Sequence, residues 1–106
     1  MATSKEFIDY LQEQLTELDG ITFRPMMGEY LIYYNGRLAG DICDDRLLIK
    51  PVDAAKTYLK DAPLEQPYAG AKPMLMVEDI DDREKLCGLF KAIYDDLPEP
   101  KSKKKK

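Results

Sequence analysis

Apolar residues recur at helical spacing near the start of the chain, at Phe7, Leu11, Leu15 and Leu18 with Ile8 beside them. With Thr3 as a cap and Glu6 completing a capping box, the pattern predicts a helix from about Ser4 to Leu18. Asp19-Gly20 stops it, because glycine is favoured just past a helix end. Ile21 to Phe23 predicts a short strand whose regular pairing ends at Arg24-Pro25, since proline offers no N–H to a ladder. Met26-Met27-Gly28 then leads into a stretch where the apolar period shortens to two, the mark of strands. Asn35-Gly36 sits inside this alternation and predicts a two-residue type I′ hairpin turn, which requires positive φ at both positions. Asp44-Asp45 predicts a second turn of the same length, aspartate tolerating the left-handed region without the freedom of glycine.

Lys50-Pro51 closes this segment, because proline restricts the residue before it. Asp53 is placed to cap a short helix running to Leu59. Asp61 to Pro73 reads as a loop, with prolines at 63, 67 and 73; it carries Tyr68 and Lys72. Met74 to Val77 predicts a last strand. Asp79 or Asp81 then caps a closing helix whose apolar stripe is Leu86, Leu89, Phe90, Ile93 and Leu97, ending before Pro98. The order α-β-β-β-β-α-β-α predicts an α+β fold in two layers, with an antiparallel sheet of about four to five strands packed on N- and C-terminal helices. One domain is expected over residues 1–97, followed by a disordered lysine-rich tail over 98–106.

The first turn sets a register: Tyr34 opposite Arg37, Tyr33 opposite Leu38, Ile32 opposite Ala39, Leu31 opposite Gly40 and Tyr30 opposite Asp41. The second turn sets Cys43 opposite Arg46, Ile42 opposite Leu47 and Asp41 opposite Leu48. Side chains alternate across a sheet, so this pairing sorts them onto two faces. One, with Leu31, Tyr33, Leu38, Ile42, Leu47 and Ile49, is the expected core. The other carries Tyr30, Ile32, Tyr34, Arg37, Arg46, Leu48 and Lys50, together with Ala39 and Asp41, and is the candidate partner-binding surface.

Composition narrows the functional classes. The chain has 106 residues, 44% hydrophobic and 34% charged, which suits one globular domain. No apolar run is long enough to span a bilayer and the N-terminus MATSKEF has no signal-like apolar region, so no membrane partner and a cytoplasmic location are expected. Residues 1–97 hold eleven Lys and Arg against nineteen Asp and Glu, a net charge of −8, while residues 98–106 hold five Lys against one Glu. An acidic body repels a phosphate backbone. The tail reads as a solubilising terminus or an electrostatic tether.

Reaction chemistry is sparse. There is no histidine and there are two cysteines, Cys43 and Cys87, with no CxxC spacing; they read as two reduced, partly buried thiols. Without histidine the usual zinc sites, the commonest general base and every familiar triad are missing. Asp79, Asp81 and Asp82 lack the glycine and closing glutamate of a calcium loop, and suit a helix N-terminus instead. No phosphate-binding glycine motif occurs. The expectation is a non-enzymatic protein with no catalytic residues, no metal and no cofactor.

The segments Arg24-Pro25-Met26-Met27-Gly28-Glu29-Tyr30, Ile32-Tyr33-Tyr34-Asn35-Gly36 and Asp45-Arg46-Leu47-Leu48-Ile49-Lys50 together resemble the N-terminal domain of the TfoX/Sxy family of competence regulators. Tyr68-Ala69-Gly70-Ala71-Lys72-Pro73-Met74 is similar to that family's loop before its last strand. The likeness runs from about Phe7 to Leu97. It implies a cytoplasmic bacterial α+β domain, associated in the full-length regulators with switching on genes for DNA uptake as co-activators of another transcription factor. It brings no catalytic residues. Where the regulators continue into a second, helical domain this sequence has the lysine tail, so a stand-alone N-terminal domain is expected.

Two modes of action follow. In the first, the Tyr/Arg face binds a protein partner such as a transcription factor. In the second, it binds single-stranded nucleic acid, with Tyr30 and Tyr34 stacking on bases and Arg37, Arg46, Lys50 and the tail meeting phosphates. A homodimer through the same face is a third arrangement.

Overall fold

A computed structural model gives the architecture of the protein; it describes residues 4–26, 29–67 and 69–97. Helix α1 (Lys5–Gln14) is followed by β1 (Ile21–Met26), β2 (Glu29–Tyr34), β3 (Arg37–Cys43), β4 (Arg46–Ile49), α2 (Asp53–Tyr58), β5 (Leu64–Glu65), β6 (Met74–Val77) and α3 (Arg83–Ile93), which runs into a 3-10 turn over Tyr94–Asp96. The strands form one antiparallel sheet in the order β1-β2-β3-β4-β6-β5. The α+β, one-sheet layout is as expected. The sixth strand is the two-residue β5, which lies in the segment expected to be a loop and pairs Glu65 with Met74.

The helices arise as their patterns require, with local corrections. Ser4 is the N-cap of α1, its hydroxyl accepting from the Phe7 N–H at 3.2 Å; Thr3, expected as the cap, lies outside the described residues. The helix ends at Gln14 rather than Leu18. The chain then continues in tighter turns in which Leu18 N–H donates to the Leu15 carbonyl, so Leu15 and Leu18 still reach the core. Asp82, not Asp79 or Asp81, caps α3 by accepting from the Lys85 N–H at 3.1 Å. Asp53 does not cap α2 but is its first residue. There the Ala54 N–H is satisfied by the Asp96 carboxylate at 3.0 Å.

Helices α1, α2 and α3 pack on one face of the sheet. Ile8, Leu11 and Leu15 from α1, Ala55 from α2, and Leu86, Leu89, Phe90 and Ile93 from α3 enclose Ile32, Ala39, Ile42, Leu47, Ile49, Leu75 and Val77. Gln14 is buried among them and pins α1 to the segment before α3. Its amide donates to the Ile80 carbonyl at 2.8 Å, and its side-chain oxygen accepts from Arg83 at 3.4 Å.

Both turns form as two-residue reversals with positive φ, 50° and 85° at Asn35 and Gly36, 53° and 58° at Asp44 and Asp45. The pairings beside the second turn match the sequence reading. Between β2 and β3 the register holds for Tyr34↔Arg37 and Tyr33↔Leu38, then slips, so that Ile32 faces Gly40, Leu31 faces Asp41 and Tyr30 faces Ile42. Ala39 is the extra residue of a β-bulge. Gly40 makes this approach feasible, because a side chain there would overlap the Leu48 carbonyl oxygen on β4. Pro25 does not end the pairing of β1, which runs on to Met26↔Glu29.

Candidate functional site

The slip at Ala39 divides the residues expected on one binding face. Directly paired residues share a face of an antiparallel sheet. Tyr30 is therefore grouped with Ile42, Ile32 with Gly40, and Tyr34 with Arg37 on the helix-covered side. Ile32 is fully buried. Tyr30 packs partly buried against the core, and Tyr34 meets Phe90 and Tyr94 edge-on at ring distances of 6.2 and 5.2 Å. Arg37 donates to the carbonyls of Tyr94 and Leu97 at 3.1 and 3.4 Å, with its guanidinium 4.4 Å from the centre of the Tyr94 ring. Tyr34 and Arg37 thereby fasten the C-terminal turn to the sheet.

Arg46, Leu48 and Lys50 belong to the opposite, outer face, and two of them are occupied. Arg46 reaches over this face to the Glu65 carboxylate at 3.4 Å, the Gln66 carbonyl at 3.3 Å and the Cys43 sulfur at 3.7 Å. The Cys43 thiol donates to the Pro67 carbonyl at 3.1 Å. The segment after β5 is thus drawn across a small second core of Cys43, Leu48 and Met74, flanked by Met76. Burial pushes the Cys43 thiol above its ordinary pKa, with Arg46 acting in the other direction. Lys50 is half-buried. Tyr68 lies outside the described residues.

No helix of the described residues lies over the rest of the outer face. The pairings align a row across five strands, Arg24, Leu31, Asp41, Leu48 and Met76, and beside it a second row, Thr22, Tyr33 and Leu38. Leu31, Tyr33 and Leu38, which the unbroken register assigned to the core, are half-buried here, and Thr22 and Arg24 are exposed. Their placement was concealed by the bulge; Gly40 inside a strand was its only sequence signal.

Two carboxyls border the apolar strip. One Glu29 oxygen is shielded from solvent with no hydrogen-bond partner among the described residues. Burial, and then the neighbouring Asp41 carboxylate, raise the Glu29 pKa. Asp41 is raised by burial, with Lys50 opposing. Among the described residues no group of three or more His, Cys, Asp or Glu could hold a metal ion, and no helix is long and apolar enough to cross a membrane. A cavity of about 300 Å³ between α2, α3 and β6 is floored by Leu59, Val77, Leu86 and Leu89, with the Lys85–Asp79 ion pair, 2.6 Å long, at its rim.

These features define a small α+β domain with a one-sided sheet whose outer face is half strapped and half open. The chain matches the model of the TfoX N-terminal domain family over residues 13–96 and belongs to that family. It is also similar to a protein of Spirochaeta aurantia described as an uncharacterized 12.7 kDa protein in the trpE 5′ region. The two are 29% identical over 107 aligned positions that span all of this chain and 93% of that protein. No solved structure matches the chain.

Proposed function

We propose that the protein is a non-enzymatic interaction domain in bacterial transcription regulation, of the kind linked to DNA-uptake competence, and that it works by docking a protein partner on the open half of the outer sheet face. The observation that supports this most is the strip of Leu31, Tyr33 and Leu38, apolar and aromatic yet covered by no helix of the described residues, between Arg24 on one side and Asp41 on the other. Aromatic and aliphatic anchors within a charged rim are the usual anatomy of a protein contact.

The dispersal of the basic side chains favours protein over nucleic acid. Arg37 is engaged with main-chain carbonyls on the helix side and Arg46 with Glu65 on the strapped half. A phosphate backbone would need several such cations free on one surface.

The test is capture from native cell lysate by wild type and by Leu31→Glu, each with and without nuclease. A protein held by wild type through nuclease treatment and lost with Leu31→Glu supports the reading. Retention that disappears with nuclease would transfer the case to nucleic acid, and identical captures by both proteins would remove the open face from consideration.

A further inference from the structure

Strand β1 is one edge of the sheet, and its free side is built differently from the rest of the surface. The Asn35 N–H donates to the Gly20 carbonyl at 2.9 Å. Bonded positions alternate along an antiparallel pair. Thr22 and Arg24 therefore exchange bonds with Tyr33 and Leu31, their partners in register. Ile21, Phe23 and Pro25 turn their backbone groups away from β2. Pro25 has no N–H to leave unpaired, which shortens the usable edge to Ile21 and Phe23.

Beside that edge, between β1 and the C-terminal end of α1, runs a groove of about 390 Å³. Leu15, Leu18, Ile21 and Phe23 line it, and the remainder of its lining is Gln12, Thr16 and Thr22. None of these is charged, in a chain where 34% of residues are. Ile21 and Phe23 point to the helix side and pack against the core, yet stay half exposed.

We infer that two copies of this chain join through their β1 edges about a two-fold axis at Thr22, forming one continuous sheet. The second copy is the occupant because this register is self-complementary, as a two-fold interface requires. Ile21 of one copy faces Phe23 of the other, so both outward-pointing residues on each side find a bonded partner and four backbone hydrogen bonds close. Pro25 falls beyond the paired segment, where its missing donor costs nothing. On the helix side the Ile21–Phe23 pairs cover the two grooves. On the outer side Thr22 meets Thr22, a favourable cross-strand pair. Arg24 of each copy stands about 14 Å from its mate, at ~3.4 Å of rise per residue, so no like charges are opposed. Contacts of this extent belong to the weak class, under ~1,200 Å² in total, so the dimer forms as concentration rises. The inference is independent of the partner reading above, which uses a different surface.

The test combines sedimentation equilibrium of the full chain, from micromolar to millimolar concentration, with cysteine cross-linking. Thr22 and Arg24 are both exposed, so Thr22→Cys and Arg24→Cys leave the fold intact. The native Cys43 and Cys87 are buried. At the two-fold, Thr22 is a non-hydrogen-bonded pair with Cα atoms ~4.5 Å apart, within disulfide range. The expected result is a wild-type mass approaching twice 12.2 kDa, rapid oxidation of Thr22→Cys to a covalent dimer, and none for Arg24→Cys. Thr22→Lys, which opposes two charges at the axis, should weaken dimerisation at least tenfold with an unchanged urea midpoint. A monomer at every concentration, equal cross-linking at both positions, or an unaffected Thr22→Lys dimer would overturn the inference.

Discussion

Tyr58 and Gly88 meet where α2 crosses α3: the Tyr58 hydroxyl donates to the Lys85 carbonyl at 3.0 Å, and a Cβ at position 88 would lie 2.5 Å from that hydroxyl oxygen. Glycine inside a helix costs ~1 kcal/mol relative to alanine, and here it makes room for a hydrogen bond worth roughly the same. Gly88→Ala alone should therefore change stability little, because the gain in helix propensity is offset as the hydroxyl is displaced. In a Tyr58→Phe background the same Gly88→Ala should stabilise by about 1 kcal/mol. Urea denaturation of the four proteins in this cycle measures the coupling, and additive effects would refute the contact.

Asp44 sits at φ 53°, where a Cβ clashes with the following carbonyl at a cost of roughly 1 kcal/mol. Its neighbour Asp45, at φ 58°, also accepts from the Ser4 N–H at 2.8 Å, tying the start of α1 to the turn. Asp44→Gly should raise stability by about 1 kcal/mol. Asp45→Gly should give less, because it removes that tie. Thermal unfolding of the two variants side by side checks the order.

Glu29 and Asp41 carry the pH dependence of the open face. The folded state raises both pKa values, chiefly by burial, with the Asp41 carboxylate adding to the effect at Glu29 and Lys50 opposing it at Asp41. A carboxyl whose folded pKa lies above its unfolded value binds its proton more tightly in the folded state. Its ionisation therefore destabilises the fold as pH rises from the unfolded value through the folded one. Starting from ordinary values of 3.8 for Asp and 4.5 for Glu, Asp41→Asn and Glu29→Gln should be more stable than wild type at neutral pH. The advantage should disappear below those values, and urea midpoints across pH 3 to 8 test this.

Arg37 joins the end of the first hairpin to the C-terminal turn through two carbonyls and the Tyr94 ring. Hydrogen bonds from a charged donor are worth ~1.5–3 kcal/mol, so Arg37→Ala should destabilise by about 2 kcal/mol. Because its partners are neutral, added salt should alter that loss little, whereas a role at phosphates would appear as steep salt dependence of binding.

The helices, both turns and the single-sheet layout were readable because each has a local cause. Asn35-Gly36 can reverse the chain in only a few ways, and the stripe from Leu86 to Leu97 is buried as its spacing predicts. The sorting of residues onto the two sheet faces failed for an equally definite reason. A face assignment carries parity along the strand, so one extra residue inverts everything beyond it. Ala39 is that residue, and it exchanged Tyr30, Ile32 and Tyr34 for Leu31 and Tyr33. Gly40 marks the place in the sequence, but what requires a glycine there is the Leu48 carbonyl oxygen on the neighbouring strand, a contact set in three dimensions. The ties from Arg46 to the segment after β5 likewise depend on the β4-β6-β5 strand order, which no local pattern encodes.

The adjacent tyrosines at 33 and 34 offer the most direct measurement, since they lie on opposite faces of the sheet. Tyr33→Ala and Tyr34→Ala should be compared for urea stability and for capture of the nuclease-resistant partner proposed above. Tyr33→Ala is predicted to lose the partner while unfolding near the wild-type midpoint. Tyr34→Ala, which removes a ring packed on Phe90 and Tyr94, is predicted to lose about 3 kcal/mol of stability yet to retain the partner in conditions where it remains folded. Partner loss with Tyr34→Ala at full stability, or unchanged capture by Tyr33→Ala, would rule out the open outer face as the docking surface.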